Sequence, residues 1–224
     1  GTSAALIAAR RDFFDRWVVT DYDLARADDV VARLSDPRFV PAQLDASSAE
    51  AVAELCREHE ITHVLNVIDP RYVMPVFNGA HAAGADYLDT AMSLSRPHPV
   101  RPFDEVGVML GDEQFAQDAQ WRERGGLALC GMGVEPGLAD VFARYASDHL
   151  FSEIDEIGIR DGANLIVEGY DFAPSFSIWT TIEECLNPPV VWERDRGWFT
   201  TPPFSGAEVF DFPEGIGPVE CVNV

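Results

Sequence analysis

The strictest constraint on this chain is a rhythm. Between Thr2 and Thr90, segments of helical spacing alternate with short apolar runs five times, which is the pattern of a doubly wound parallel sheet. Residues 2–11 form an Ala-rich helix with Leu6 and Ile7 on its apolar side, and residues 18–21 are an apolar strand ending in Asp21. Residues 24–34 put Leu24, Ala27, Val30, Val31 and Leu34 on one helical face and stop at Asp36-Pro37. A third apolar segment, 39–44, leads to Asp45. Ser47-Ser48-Ala49-Glu50 then offers a capping box for a helix carrying Val52, Leu55, Cys56 and His59. The β-branched run 61–68 reads as a fully buried parallel strand. A helix over 73–83 closes at Gly84, and Tyr87-Leu88-Asp89 is the strand after it.

Residues 91–111 break the rhythm with Pro97, Pro99, Pro102 and two glycines. They predict an excursion at the carboxyl end of a strand, the edge where open α/β sheets place ligands. A helix over 112–124 and a strand over 127–130 follow, feeding the loop Gly131-Met132-Gly133-Val134-Glu135-Pro136-Gly137. Three glycines and a proline in seven residues prescribe a tight backbone that can approach a ligand closely. Helix 138–149 is expected to bury Leu138, Val141, Phe142, Tyr145 and Leu150.

The texture changes near Phe151, so the expected organisation is a Rossmann domain over 1–150 and an α+β domain over 151–224, both incomplete. In the second domain 154–160 alternates as a strand with one exposed face would. Thr180 and Thr181 each precede a Glu by three residues and predict the start of a short helix, halted by Asn187-Pro188-Pro189. Residues 219–224 read as a further strand. The aromatics of this region, among them Tyr170, Trp179, Trp192, Trp198, Phe199 and Phe204, are expected to form its core, with a homodimer interface as the alternative.

Composition narrows the chemistry. All sixteen basic residues are Arg, which removes Lys Schiff bases, a phosphate-loop Lys and a Tyr-x-x-x-Lys pair from the covered segment. A formal net charge of -22 opposes nucleic acid or an anionic membrane as partner. Cys56, Cys130, Cys185 and Cys221 form no CxxC pair, and the five histidines are equally scattered, so free thiols and no metal are expected. No run approaches the ~18 apolar residues of a membrane span, and a cytoplasmic protein is the expectation.

The candidate site residues follow from the predicted strand ends. Gly1 reads as the last glycine of a GxGxxG turn, with an ordinary surface helix as the alternative. Asp21, at a strand tip 20 residues on, can accept hydrogen bonds from both ribose hydroxyls of an adenosine. Its charge repels a 2'-phosphate and Tyr22 is no compensating Arg, so NAD is favoured and NADP remains possible through Arg26. Asp45 is a candidate adenine contact, and Asn66, Asp89 and Thr90 lie where cofactor and substrate would meet; each is equally a plausible turn residue. In the glycine loop, Gly133 allows close approach. Glu135 either orients an ammonium or carboxamide or is a helix-start charge favourable to the dipole.

These residues carry a resemblance. The strand tip Val19-Thr20-Asp21-Tyr22-Asp23, the run Tyr87-Leu88-Asp89-Thr90, the loop Gly133-Val134-Glu135-Pro136-Gly137-Leu138, the run 176–187 and Phe212-Pro213-Glu214-Gly215-Ile216-Gly217-Pro218 resemble the saccharopine dehydrogenase-like oxidoreductases. The resemblance implies an amino-terminal Rossmann domain, a mixed-sheet substrate domain and NAD(P)-linked hydride transfer at a carbon bearing an amine. It includes saccharopine, carboxynorspermidine and lysine 6-dehydrogenase activities; a non-catalytic dinucleotide-binding protein is the other reading. The expected substrate is a small amino-acid-like molecule. Asp89, Glu135 or a water is the candidate proton partner, and Ser177 and Thr180 are candidate ligands of a substrate carboxylate.

Overall fold

The computed structural model describes residues 1–162, 166–171, 173 and 178–224. They form two compact units: Gly1–Ser93 with Glu113–Asp140, and Leu94–Asp112 with Val141–Val224.

The first unit is a succession of parallel βα steps. Helix α1 (Thr2–Ala8) precedes strand β1 (Trp17–Asp21), helix α2 (Leu24–Leu34), strand β2 (Phe39–Gln43), helix α3 (Ala49–Glu58), strand β3 (His63–Asn66), helix α4 (Val73–Ala83) and strand β4 (Asp86–Asp89). After the excursion come two short helices, α5 (Asp112–Phe115) and α6 (Asp118–Arg124), where a single one is predicted, and then strand β5 (Ala128–Leu129); helix α7 (Leu138–His149) begins at the end of this unit and lies mostly in the second. All strand pairs here are parallel: β1 with β2, and β3 with β4 and β5 in that order. This is the doubly wound α/β architecture, its strands hydrogen-bonded in two sheets.

Two apolar clusters hold the unit. Ala5, Ala8 and Phe39 anchor one, against Phe14, Trp17 and the α2 face of Val30, Val31 and Leu34. Arg38 fastens its rim: the guanidinium lies 4.5 Å over the Phe14 ring, donates to the carbonyls of Arg11 and Ala9, and pairs with Asp36 at 2.7 Å. That pairing holds the Asp36 carboxyl below its usual range. The second cluster joins Val52 and Cys56 of α3, Val76, Phe77 and Ala80 of α4, Tyr87 and Trp121. Phe77 meets Tyr87 edge-on at 5.1 Å. Gly79 lets α3 approach α4, because a Cβ there would stand 2.6 Å from that of Val52. The cap before α3 falls one residue later than the box predicts: Ser47 bonds Asp45, and the Ser48 hydroxyl oxygen accepts from the Ala51 N–H at 3.1 Å. Ser48→Ala removes that acceptor and is expected to lower stability by about 1 kcal/mol, read as a shifted urea midpoint at unchanged slope.

Strand β3 departs from the expected fully buried run. It spans four residues, and Leu65 stays 37% exposed. Leu65, Leu88 and Leu129 stand in register across the sheet on the face opposite Tyr87. The aromatic face is covered by α4 and α6, whereas Leu65 and Leu129 are exposed. Similarly, all five residues of the expected buried face of α7 are exposed; spacing creates an apolar face without supplying its partner.

The second unit contains helix α8 (Ile178–Leu186) and two antiparallel hairpins, β6 (Val190–Glu193) with β7 (Gly197–Thr200) and β8 (Glu208–Phe212) with β9 (Gly217–Cys221). Residues 154–160 form no strand, because no described segment pairs with them to take up their backbone hydrogen bonds. Helix α8 is described from Ile178, so Thr180 and Thr181 lie within it instead of at its cap, and it stops before Asn187-Pro188 as predicted. Of the aromatics expected as core, Phe199 is buried, whereas Tyr170, Trp179, Trp192, Trp198 and Phe204 are exposed. A two-stranded hairpin has no second layer to bury them. Among the described residues no helix is long and apolar enough to cross a membrane.

Candidate functional site

Parallel strands bring their carboxyl ends to one edge of each sheet. On the first sheet that edge carries Asp21, the last residue of β1. Its Oδ1 accepts from the Asp23 N–H at 3.0 Å, and its Oδ2 lies 3.9 Å from Arg26 Nε. Asp23 is the N-cap of α2, its side chain accepting from the Ala25 N–H. The capping duty therefore falls on Asp23, and the Asp21 carboxylate stays half-buried at the strand tip. Tyr22 is exposed, with its carbonyl accepting from Gln43 Nε2. Asp45 closes an Asx turn: its Oδ1 accepts from the Ser47 N–H and, at 2.6 Å, from the Ser47 hydroxyl, which lowers the Asp45 pKa. Gly1 is the N-cap of α1.

The second edge is a buried polar cluster around Asp89. Its register neighbour in β3 is Asn66. The Asn66 amide donates to the Tyr87 hydroxyl at 2.9 Å, and that hydroxyl donates to Asp89 Oδ2 at 2.8 Å. The same oxygen accepts from Gln114 Nε2 at 2.8 Å, while Oδ1 accepts from the Gly131 N–H at 2.6 Å. The Asp89 carbonyl accepts from the Met132 N–H. Strand pairing thus continues past β5 into the glycine loop. Only 1% of Asp89 is exposed. Burial pushes its carboxyl up, and the bonds from Gly131, Gln114 and Tyr87 pull it back down. Burial also raises the Tyr87 hydroxyl, and raises the Cys130 thiol to about 12. The four cysteines are free, and no group of three or more possible metal ligands occurs among the described residues.

The glycine loop closes on itself. The Gly133 N–H donates to the Pro136 carbonyl at 2.9 Å, the Leu138 N–H to the Gly133 carbonyl, and the Gly137 N–H to Asp140 Oδ2. A Cβ on Gly133 would stand 2.4 Å from the Thr90 carbonyl oxygen, so the loop lies directly on the segment after β4. Thr90 and Glu135 are exposed at this rim. Thr180 is partly buried on α8 in the other unit, and Ser177 lies outside the described residues.

Asn66, Asp89, Thr90 and Gly133 are thus brought together on one edge, and Asp21 and Asp45 stand at the carboxyl ends of β1 and β2. The sequence reading missed Tyr87, Ser93, Gln114 and Cys130. Tyr87 carried a signal, since alternation puts residues 87 and 89 on one face of a strand; Gln114 carried none.

Parallel strands with acceptors at their carboxyl tips and a loop that a single Cβ would fill define a Rossmann-type dinucleotide-binding domain. The NADP binding domain of saccharopine dehydrogenase matches residues 1–129, and the chain belongs to that family, whose cofactor is NAD(P). It is 29% identical over 206 residues to the carboxyaminopropylagmatine dehydrogenase of Synechocystis sp., covering 92% of this chain and 49% of that protein. It is 28% identical over 180 residues to the carboxynorspermidine synthase of Vibrio cholerae serotype O1, covering 80% and 42%. The chain spans about half the length of these curated relatives, or less. The solved structure of apo saccharopine dehydrogenase (L-Glu forming) from Saccharomyces cerevisiae superposes with a TM-score of 0.62 at 14% identity, over 99% of this chain and 46% of that one, a likeness of fold.

Proposed function

We propose that this chain supplies the cofactor domain and the start of the substrate domain of an NAD(P)-dependent oxidoreductase acting at a C–N bond of an amino-acid conjugate. The observation that carries this reading is the carboxyl edge of the first unit: Asp21 at one strand tip, and the Asp89–Gly131 junction at the other sheet's edge, inside or bordering the segment that matches the family. The names of the two curated relatives favour a carboxylated polyamine conjugate over saccharopine or lysine as the substrate. The organisation into domains over 1–150 and 151–224 belongs to the same proposal.

When bound, the dinucleotide supplies a hydride acceptor or donor for the carbon that bears the nitrogen. Asp21 would hold the adenosine ribose, accepting from its hydroxyls with the oxygen edge that faces Arg26. Gly133 would leave room at the rim beside Thr90. The exposed Glu135 is better placed than Asp89 to exchange a proton with a bound amine, since both Asp89 oxygens already accept from buried donors. Asp89 then acts by holding the loop in place. Thr180 and Ser177 remain the proposed ligands of a substrate carboxylate.

Asp21 also sets the proposed preference for NAD. Asp21→Ala is expected to weaken NAD binding about tenfold, the loss of charge-assisted hydrogen bonds, and to leave NADP binding unchanged or tighter, as read by fluorescence titration. The function itself is tested in the full-length protein with saccharopine, lysine and carboxynorspermidine against NAD and NADP. Reduction of either cofactor by carboxynorspermidine supports the reading. Binding of NAD(P) without turnover of any amine would favour a non-catalytic dinucleotide-binding protein.

A further inference from the structure

We propose that Gln114 is a positioning residue that clamps Asp89 and Ser93 together and so holds the glycine loop at the cofactor edge. This rests on the dinucleotide reading of that edge. Gln114 is 2% exposed, one of the largest fully buried side chains in the described chain. Its amide works in both directions: Nε2 donates to Asp89 Oδ2 at 2.8 Å and lies 3.3 Å from Cys130 Sγ, while Oε1 accepts from the Ser93 N–H at 2.8 Å. The orientation is chemically fixed, because a flipped amide would set oxygen against a carboxylate and nitrogen against an N–H.

The three segments joined are the ones that build the edge. Asp89 ends β4 and grips the Gly131 N–H; Cys130 precedes that glycine; Ser93 is where the chain leaves the first unit, to return at Glu113. One side chain therefore ties the departure and return of the excursion to the loop that lies on Thr90. Without its amide, Asp89 would face Gly131 with one partner fewer, and the loop would lose its fixed distance from the strand end. The adenosine end at Asp21 belongs to the other sheet and makes no bond to this cluster. The clamp thus acts on the reaction step more than on dinucleotide affinity.

Two near-isosteric variants of the full-length protein test this. In Gln114→Glu the new carboxyl faces Asp89 and cannot donate while both are ionised. When the pair shares one proton the donor returns. Tyr87 from β4 and Cys130, just after β5, face the same pair and stay neutral across this range, and Asp112 and Glu113 flank the position on α5. Gln114→Met keeps the volume and removes both bonds at every pH. At about pH 8, both variants are expected to exchange the Gly131 and Met132 amide hydrogens about tenfold faster than wild type, with β1 and β2 amides unchanged. The value of kcat should fall about tenfold or more, with KM for the dinucleotide within about twofold. At about pH 5.5, Gln114→Glu should recover in both readouts and Gln114→Met in neither.

Wild-type exchange at Gly131 in both variants overturns the clamp, as does faster exchange with undiminished kcat. Equal losses at both pH values in Gln114→Glu reduce the residue to packing and also overturn the proposal. A wild-type protein that binds neither NAD nor NADP overturns the dinucleotide reading instead, and the two failures are distinguishable because the exchange measurement needs no cofactor.

Discussion

Asp89→Ala is expected to lower the stability of the protein by about 3–5 kcal/mol in urea denaturation, because it strands three buried donors at once. The Tyr87 hydroxyl, the Gln114 amide and the Gly131 N–H all lose their acceptor, at 2.8, 2.8 and 2.6 Å respectively. A single unsatisfied buried group costs about 1–3 kcal/mol, and water entering the vacated space offsets part of the sum. Asp89→Asn is milder, at about 2 kcal/mol, since it keeps one acceptor while turning an NH2 group toward a donor. It also isolates the titration. Burial raises the folded pKa of Asp89 above the ordinary carboxyl value of 3.8. The contribution of its titration to stability is therefore complete below that value and is lost as pH rises through the folded one. The stability difference between wild type and Asp89→Asn should shrink as pH rises across that window, then level off. A difference that grows with pH would mean that the three hydrogen bonds outweigh burial.

The second large effect is expected at Gly137. Its φ of +131 lies where residues with a Cβ are strained, and the added atom would stand 2.4 Å from the Gly133 oxygen and 2.6 Å from the Gly131 oxygen. Both obstacles are backbone, so no side chain can move aside. Gly137→Ala is expected to open the loop and to cost about 3 kcal/mol or more, read as a shifted urea midpoint. Gly215 is the control: its φ is +85, and a methyl added there would meet nothing within 4 Å. Gly215→Ala should therefore cost only the backbone term of about 1 kcal/mol. Equal losses at the two glycines would show that the loop tolerates the clash and that φ alone decides.

The first unit was legible in the sequence because its elements are set by local pattern. Helix α2 ends where its apolar stripe ends, Ser48 caps α3, and Gly84 stops α4 in the left-handed conformation with φ +82. What periodicity cannot convey is what covers a face. The same spacing rule applied to α7 named five residues that stay exposed, and a run read as a buried strand left Leu65 accessible. The second unit was less legible because alternation alone does not make a strand: residues 154–160 alternate and have no pairing partner among the described residues. In the candidate site, Asp21 and Asp89 were legible as strand-end carboxylates, and they do stand at the carboxyl ends of β1 and β4. Gln114 escaped because its partners, Ser93, Asp89 and Cys130, come from separate places in the chain, and only the folded backbone brings them together.

The two faces of β4 differ so sharply that they also guard its alignment. Tyr87 and Asp89 point to the aromatic and polar side, while Leu88 stands in the leucine row. A slip of one residue would exchange the faces. It would lay a carboxylate and a phenol along leucines and press a leucine against the Gln114 and Gly131 donors, losing several kcal/mol on both sides of the sheet. Mispairing is thereby penalised by the same residues that assemble the polar cluster around Asp89, so a chain that registers β4 wrongly also loses that cluster.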